Sequence, residues 1–464
     1  MNRWLLRDAV FLSVSGGGGD AMRYGMARHL KWGLWASSMS NAFKNSKLSF
    51  PPPISVRIEL PKQMAMRARQ PLSCRTVQLV SCFEVAAGGL FECISPVIDV
   101  ELFRLPMAPR SVYDESSGCW MVQDVTEQAA APTVWRHTKE DGAVSVQFAV
   151  PRYVVVADPK RLQIGWWHSE ERQWRVSPVD GAEAEKNADD KVIEDVQYDA
   201  VHRMVSLRTR RLSPLCLVQP IGTYYEWTEW KLTPSGVGRC KISLLTASKM
   251  AVEMEVVGGR CQLIQPELPA LRHLIDRPLS PHRLVGALRD RGINLCYKKD
   301  LGMSPRLLSK EEEIEDRAHR EISSVAALFQ MGMSRWNREA LPNNEQLIVF
   351  RLRKPLTPNE EADLLQNAAA GGDDGDGDGA APKHDIETWL TVMINHEKCS
   401  FIDCTERSEV ANLDTPIREL SHHSLIRCVA SKCTEDNTRD LQNTSFRFKE
   451  TIRRLLNLLN LFRV

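Results

Sequence analysis

The chain has 464 residues, 43% of them apolar, with 60 Lys and Arg against 59 Asp and Glu and a formal net charge of +1. That length supports two or three globular domains. The near-neutral balance argues against a dedicated nucleic-acid binder, which needs a basic excess to neutralise phosphates. No stretch reaches the roughly 18 apolar residues that span a bilayer, so no membrane partner is expected.

The charge is unevenly placed. Residues 1–70 hold 11 basic against 3 acidic side chains, whereas residues 84–200 hold 11 against 21. Oppositely charged blocks in one chain suit docking to other macromolecules. At the start, Trp4-Leu5-Leu6 and Val10-Phe11-Leu12 are split by Arg7-Asp8, which interrupts the apolar run of a secretory signal. The 12 cysteines are spread widely, unlike the dense framework of a small secreted scaffold, and fit a reducing compartment.

In chain order, residues 1–30, including Gly16-Gly17-Gly18-Gly19, show no sustained period and are expected to be a flexible N-terminus. From Ile54 the text becomes short β-type runs bounded by Pro, Gly and Asp, at Ile54–Leu60, Thr76–Phe83, Phe91–Leu105, Trp120–Val125, Val144–Val156, Gln163–Trp167 and Trp174–Val176. Val144, Val146 and Phe148 alternate with Ser145 and Gln147, the period of a strand with one buried face. After an acidic, Ala-rich loop at Val179–Lys191, strands resume at residues 192–264, with Gly258-Gly259 as a hairpin turn. Ser280-Pro281 opens a helix directed toward Gly292, and Ser309 with Glu312 has capping-box spacing ahead of a face made by Ile314, Ala318, Ile322, Val325 and Phe329. A strand near Leu347–Leu352 precedes a Gly/Asp/Ala stretch too polar to bury a core.

The last segment is the most periodic. Phe448, Ile452, Leu455, Leu459 and Phe462 repeat at 4-3-4-3 spacing, the narrow seam of a coiled coil. Arg447, Lys449, Arg453 and Arg454 flank it. These nine residues form the candidate partner-binding set, with self-docking on the chain's own domain as the other reading. The expected fold is mainly β with helical additions (α+β): two antiparallel β-sandwich-like units followed by a mixed helical and strand region. The expected parts are 31–178 (first β-rich domain), 192–357 (second β-rich domain with helices), 358–384 (linker) and 385–464 (C-terminal α/β segment ending in the amphipathic helix).

Chemical motifs are sparse. The N-terminal glycines lack the Lys-Ser/Thr of a phosphate-binding loop, and there is no G-x-S-x-G, H-E-x-x-H or kinase signature, so neither an enzyme nor a cofactor is expected. Asp374, Asp376, Asp378, Gly379 and Asp385 match an EF-hand calcium loop in spacing. However, Ala381 and Pro382 stand where the loop needs an apolar residue and a ligand, which favours an acidic linker. Cys399, Cys404, Cys428 and Cys433, with His422 and His423, could supply zinc ligands, or could be buried as small hydrophobes. Trp166, Trp167, Trp174, Trp227 and Trp230 could form a carbohydrate platform on a β-sandwich, or pack inside the sheets.

Several blocks carry a resemblance. Lys31-Trp32-Gly33-Leu34-Trp35 followed by Ile58-Glu59-Leu60-Pro61-Lys62, then Pro214-Leu215-Cys216-Leu217-Val218-Gln219 ahead of Tyr225 and Trp230, then Ala326-Ala327-Leu328-Phe329 with Ser334-Arg335-Trp336-Asn337, and the closing Leu-rich helix occur in order. They resemble the axonemal dynein intermediate chain 7 family, also called the cancer-susceptibility-candidate family, from about residue 31 to 464. The resemblance implies a non-catalytic ciliary or flagellar protein, located in the axoneme and cytoplasm. Implied partners are axonemal dynein heavy and intermediate chains and tubulin, and the implied role is in the inner arm and in cilium movement. Family members carry a long charged helical region ahead of the K-W-G-L-W block, where this sequence has thirty unpatterned residues.

Overall fold

The computed structural model describes residues 21–27, 30–37, 46–68, 72–79, 91–105, 111–122, 133–135, 138, 141–159, 162–177, 192–225, 227–236, 238–296, 310–339, 346–354, 389–410 and 421–462. The chain divides into two compact units, Met1–Pro220 and Ile221–Val464. The expected loop at 179–191, the linker at 358–384 and the EF-hand-like aspartates all lie outside the described residues.

The first unit is built from strands β1 (Ala21–Ala27), β2 (Leu30–Ala36), β3 (Ser46–Phe50), β4 (Val56–Leu60), β5 (Leu72–Leu79), β6 (Phe91–Cys93), β7 (Val97–Arg104), β8 (Ser111–Asp114), β9 (Cys119–Val122), β10 (Thr133–Val134), β11 (Val144–Ala149), β12 (Gln163–His168), β13 (Gln173–Val176), β14 (Ile193–Asp199), β15 (Met204–Thr209) and β16 (Leu215–Pro220), with one short helix, α1 (Lys62–Ala68). A large sheet runs β1-β2-β5-β7-β16-β12-β13, with β10 added on β7 and β6 on β16; a second runs β14-β15-β11-β4-β3. The two close face to face over one core, to which the large sheet gives Trp35, Ile98, Val100 and Leu217 and the smaller sheet gives Ile58, Val146, Phe148 and Leu207. The alternation in β4 and β11 explains this: every second residue points inward and Arg57, Glu59, Ser145 and Gln147 point away.

Two expectations need correction here. Ala21–Ala27, read as part of a flexible terminus, is a strand paired along its length with β2. It escapes a period-2 reading because it lies at the sheet edge, where Tyr24 and Met26 stay exposed as Arg23 does. The strands at 193–220, placed with the second β-rich domain on sequence, pair with β11 and β12 and lie in the first unit.

The second unit contains β17 (Trp227–Gly236), β18 (Arg239–Thr246), β19 (Ala251–Val257), β20 (Arg260–Gln265), α2 (Pro281–Arg289), α3 (Glu312–Val325), β21 (Gln330–Met333), α4 (Trp336–Glu339), β22 (Ile348–Arg353), β23 (Leu390–Ile394), β24 (Cys399–Ile402), α5 (Leu425–Val429), α6 (Glu435–Asn443) and α7 (Phe446–Leu459). Its strands make a single antiparallel sheet in the order β20-β19-β18-β17-β21-β22-β23-β24. Where a second sandwich was expected, helices α2, α3 and α7 supply the covering layer. The fold is therefore mainly β with helical additions, and the strands after residue 347 extend the same sheet.

Ser280 and Pro281 start α2 as their chemistry requires, although the Ser280 side chain makes no cap bond. Ser309 of the expected capping box before α3 lies outside the described residues. The N-cap of α3 is Glu311, and the helix begins at Glu312 with a cluster of acids in the positive first turn. On β17–β19 the face away from the helices is polar, with Glu229, Lys231, Thr233, Lys241, Ser243 and Glu253 in cross-strand rows and Lys241 paired to Glu253.

Candidate interaction surface

Helix α7 carries the residues singled out on sequence. Its seam residues Phe448, Ile452, Leu455 and Leu459, and Phe462 just beyond its C-cap, are no more than 1% exposed. They pack within the second unit, where α7 lies on α3, α2, β19 and β20. The apolar half of the candidate partner-binding set is thus covered by the chain itself. Burying a side chain of this size is worth about 1.5–3 kcal/mol, so five of them hold the helix in place. Phe462 sits at the centre: its ring meets Trp230 edge-on at 5.7 Å, stacks on His319 at 5.4 Å and leans on Phe350 at 6.2 Å.

The flanking cations divide. Arg453 bridges Glu450 and Asp316, each at 2.9 Å, and Arg454 pairs with Glu450 at 2.7 Å. The Arg453 hydrogen bonds, joined by those of Arg454, pull the Glu450 carboxyl down to about 2. Lys449 Nζ donates to the Leu441 carbonyl at 2.8 Å, and burial lowers its amine. Arg447 is exposed next to Phe446, itself 78% exposed.

Beneath these pairs runs a polar seam between α3 and α7. Asp316 accepts from Arg453 and from Asn457 Nδ2 at 2.8 Å, while Asn457 Oδ1 lies 2.7 Å from His319 Nδ1. With its amide committed to Asp316, Asn457 offers an acceptor, which sets His319 as the Nδ1–H tautomer. Burial drives the His319 imidazole down to about 4, against the raising effect of Asn457 and Asp316, so the ring is neutral. At the far end, Tyr225 Oη donates to the Asn460 carbonyl at 2.8 Å and Trp227 Nε1 to the Leu459 carbonyl at 3.3 Å, satisfying carbonyls that a helix C-terminus leaves free. Sequence reading missed this clamp, whose only local signal is the aromatic run Tyr224-Tyr225-x-Trp227.

The other candidates resolve in the same direction. Trp227 and Trp230 are fully buried and Trp166 lies in the sandwich core, so the five tryptophans form no shared platform. Trp167 and Trp174 make an edge-to-face pair at 5.8 Å on neighbouring strands. Cys399 and Cys428 are buried, which pushes their thiols up to about 12 and about 11. Among the described residues no three His, Cys, Asp or Glu side chains gather at one point. Around this segment Arg317 instead clamps the Asn395 and His423 carbonyls, each at 2.9 Å, a structural tie. In the N-terminal basic block Lys31 donates to the Pro53 carbonyl at 2.8 Å, Arg67 pairs with Asp141 at 3.1 Å, and Lys47 pairs with Glu59 at 3.4 Å.

The blocks that carried the resemblance each supply buried residues to one unit or the other. Trp35 sits in β2, Leu60 in β4, Leu215 and Leu217 in β16, Phe329 just before β21 and Trp336 in α4, each at most 4% exposed. Gly33 has no alternative, because a Cβ there would lie 2.5 Å from the Phe50 ring. No protein-family model matches the chain. Curated relatives do match it, and they share one name. The likeness is to dynein axonemal intermediate chain 7. The Ciona intestinalis homolog is 25% identical over 209 residues, 44% of this chain and 26% of that protein. The human dynein axonemal intermediate chain 7 is 23% identical over 293 residues, 62% of this chain and 35% of that protein, and the Danio rerio protein is 24% identical over 207 residues, 44% and 26%. The chain thus spans about a quarter to a third of the length of the dynein axonemal intermediate chain 7 proteins it matches.

Proposed function

We propose that this chain is a non-catalytic subunit associated with axonemal dynein in cilia or flagella. The observation that carries the reading is the match to several relatives named dynein axonemal intermediate chain 7, reaching 62% of the chain in the human protein. The blocks behind the resemblance supply buried residues to both units, so in this chain they belong to a folded body. In this reading the body acts as a scaffold in an inner dynein arm. It docks to heavy and intermediate chains through its solvated sheet faces, contacts tubulin through its basic N-terminal block and supports cilium movement. Charge steering favours contact between such a block and an acidic polymer surface and weakens with salt. The partner-facing part of α7 is its outer stripe, with Phe446, Arg447 and Arg454 exposed, because the inner seam is filled.

The test is a tagged copy expressed in a flagellated cell, followed by fractionation of detergent-extracted axonemes. Retention with the axoneme, and release with the dynein fraction at high salt, is the expected outcome. A chain found wholly in the cytosolic fraction overturns the proposal. Co-sedimentation with microtubules at rising ionic strength addresses the tubulin contact separately: binding that salt does not weaken removes its electrostatic part.

A further inference from the structure

The outer face of the large sheet in the first unit carries chemistry that the proposed function does not use. Strands β6 and β16 pair with Cys93 opposite Val218, and the Ile94 N–H donates to the Leu217 carbonyl at 2.9 Å. That register puts Cys216 on the same face as Cys93 and diagonal to it. Both cysteines are buried, in one small cluster with Val97 and Val218. The Cys93 thiol donates to the Ser95 carbonyl at 2.9 Å, and its closeness to Cys216 adds to the burial that raises the Cys216 thiol. Across the next strand Gly165 faces Cys216, and a Cβ at that glycine would come within 3.1 Å of the Cys216 sulfur. The glycine leaves that sulfur room to turn.

We propose that Cys93 and Cys216 form a reversible dithiol–disulfide site, oxidised by exchange with a low-molecular-weight disulfide of the glutathione class. In the first step the Cys93 thiolate attacks glutathione disulfide, forming a mixed disulfide and releasing one glutathione thiolate. In the second the Cys216 thiolate attacks the Cys93 sulfur, forming the Cys93–Cys216 bond and expelling the second glutathione thiolate. The two protein thiols lose two protons and two electrons, and one glutathione disulfide becomes two glutathione thiols. Burial pushes the Cys216 thiol well above its ordinary value, so the pair is inert while β6 is seated. Strand β6 is three residues long and hangs from β16 off the main strand path, which makes it the segment whose local opening admits the oxidant. The bond then ties β6 to a strand in the middle of the sheet and suppresses that opening. Cys119, exposed in the β8–β9 hairpin, provides an internal comparison, a thiol open to the same reagent.

The experiment incubates the purified full chain with glutathione disulfide, quenches by alkylation and maps peptides by mass spectrometry. A linked Cys93–Cys216 peptide, lighter by two hydrogens and reopened by dithiothreitol, is expected alongside glutathione on Cys119. With Cys216→Ala, Cys93 stops at the mixed disulfide. Free Cys93 and Cys216 under conditions that load Cys119, or either cysteine recovered in a bond to a different cysteine, overturns the proposal; this readout on the unmodified chain needs no variant to fold.

Discussion

The two units bury the inner face of an antiparallel sheet by different means. In the first, a second sheet covers it, so the core is a layer of alternating residues drawn from strands far apart in sequence. In the second, helices do the covering, and the last of them, α7, is fixed by polar contacts as well as apolar ones. The first unit buries Asp141 against Trp135 of its core and pairs it with Arg67, whereas the sheet–helix interface of the second holds a neutral histidine. Core chemistry therefore makes the two units respond differently to truncation and to acid.

The largest separation is expected from truncating one ring in each core. Phe462→Ala removes the ring that Trp230, His319 and Phe350 share and is expected to cost about 3–5 kcal/mol. Phe148→Ala in the sandwich core is expected to cost a similar amount. Amide hydrogen exchange should show lost protection in α3 and α7 for the first variant and in β4, β11 and β15 for the second; the reverse pattern breaks the comparison.

Acid separates the units next. The His319 value falls from 6.5 to about 4 on folding, so between those values the unfolded chain binds the extra proton and stability falls with pH. For a fully buried ring this amounts to a loss on the order of 3 kcal/mol by about pH 4. In the first unit Asp99 runs the other way. Burial, reinforced by Glu101, raises its carboxyl to about 6 against the opposing Arg75, so the folded state binds the proton first and gains as pH falls from 6 toward 3.8. Denaturant titration across this range should show a pH slope that His319→Gln flattens; an unchanged slope rules out His319 as its source. The smallest expected effect sharpens the view of the clamp. Tyr225→Phe deletes the bond to the Asn460 carbonyl and should cost about 1 kcal/mol, with faster exchange confined to the last turn of α7.

Much of this was legible from residue order. The alternation of Val144, Val146 and Phe148 marked β11, Ser280-Pro281 marked the start of α2, and the 4-3-4-3 spacing marked α7. What the spacing left open is what fills the seam, because a helix presents the same stripe to a partner as to its own domain. The answer lies in Ile314, Ala318 and Ile322, on a helix far back in the sequence. The same limit hid the helical layer of the second unit: period-2 alternation shows that one strand face is covered and is silent on whether a sheet or helices cover it. Residues 193–220 form the strands expected of them, yet pairing partners are long-range choices that no local pattern carries.

The placement of α7 has a consequence for synthesis. Strands β19 and β20 leave the ribosome well before residues 446–462, so the surface that α7 covers must wait, apolar and uncovered, while the intervening segments are translated. A frameshift or stop codon ahead of Phe446 would release a chain that holds every described strand of the second unit's sheet, with β19 and β20 lacking the helix that packs on them. In such a product part of the apolar sheet face stays open to solvent, and the seating of α7 is the step that closes the second unit.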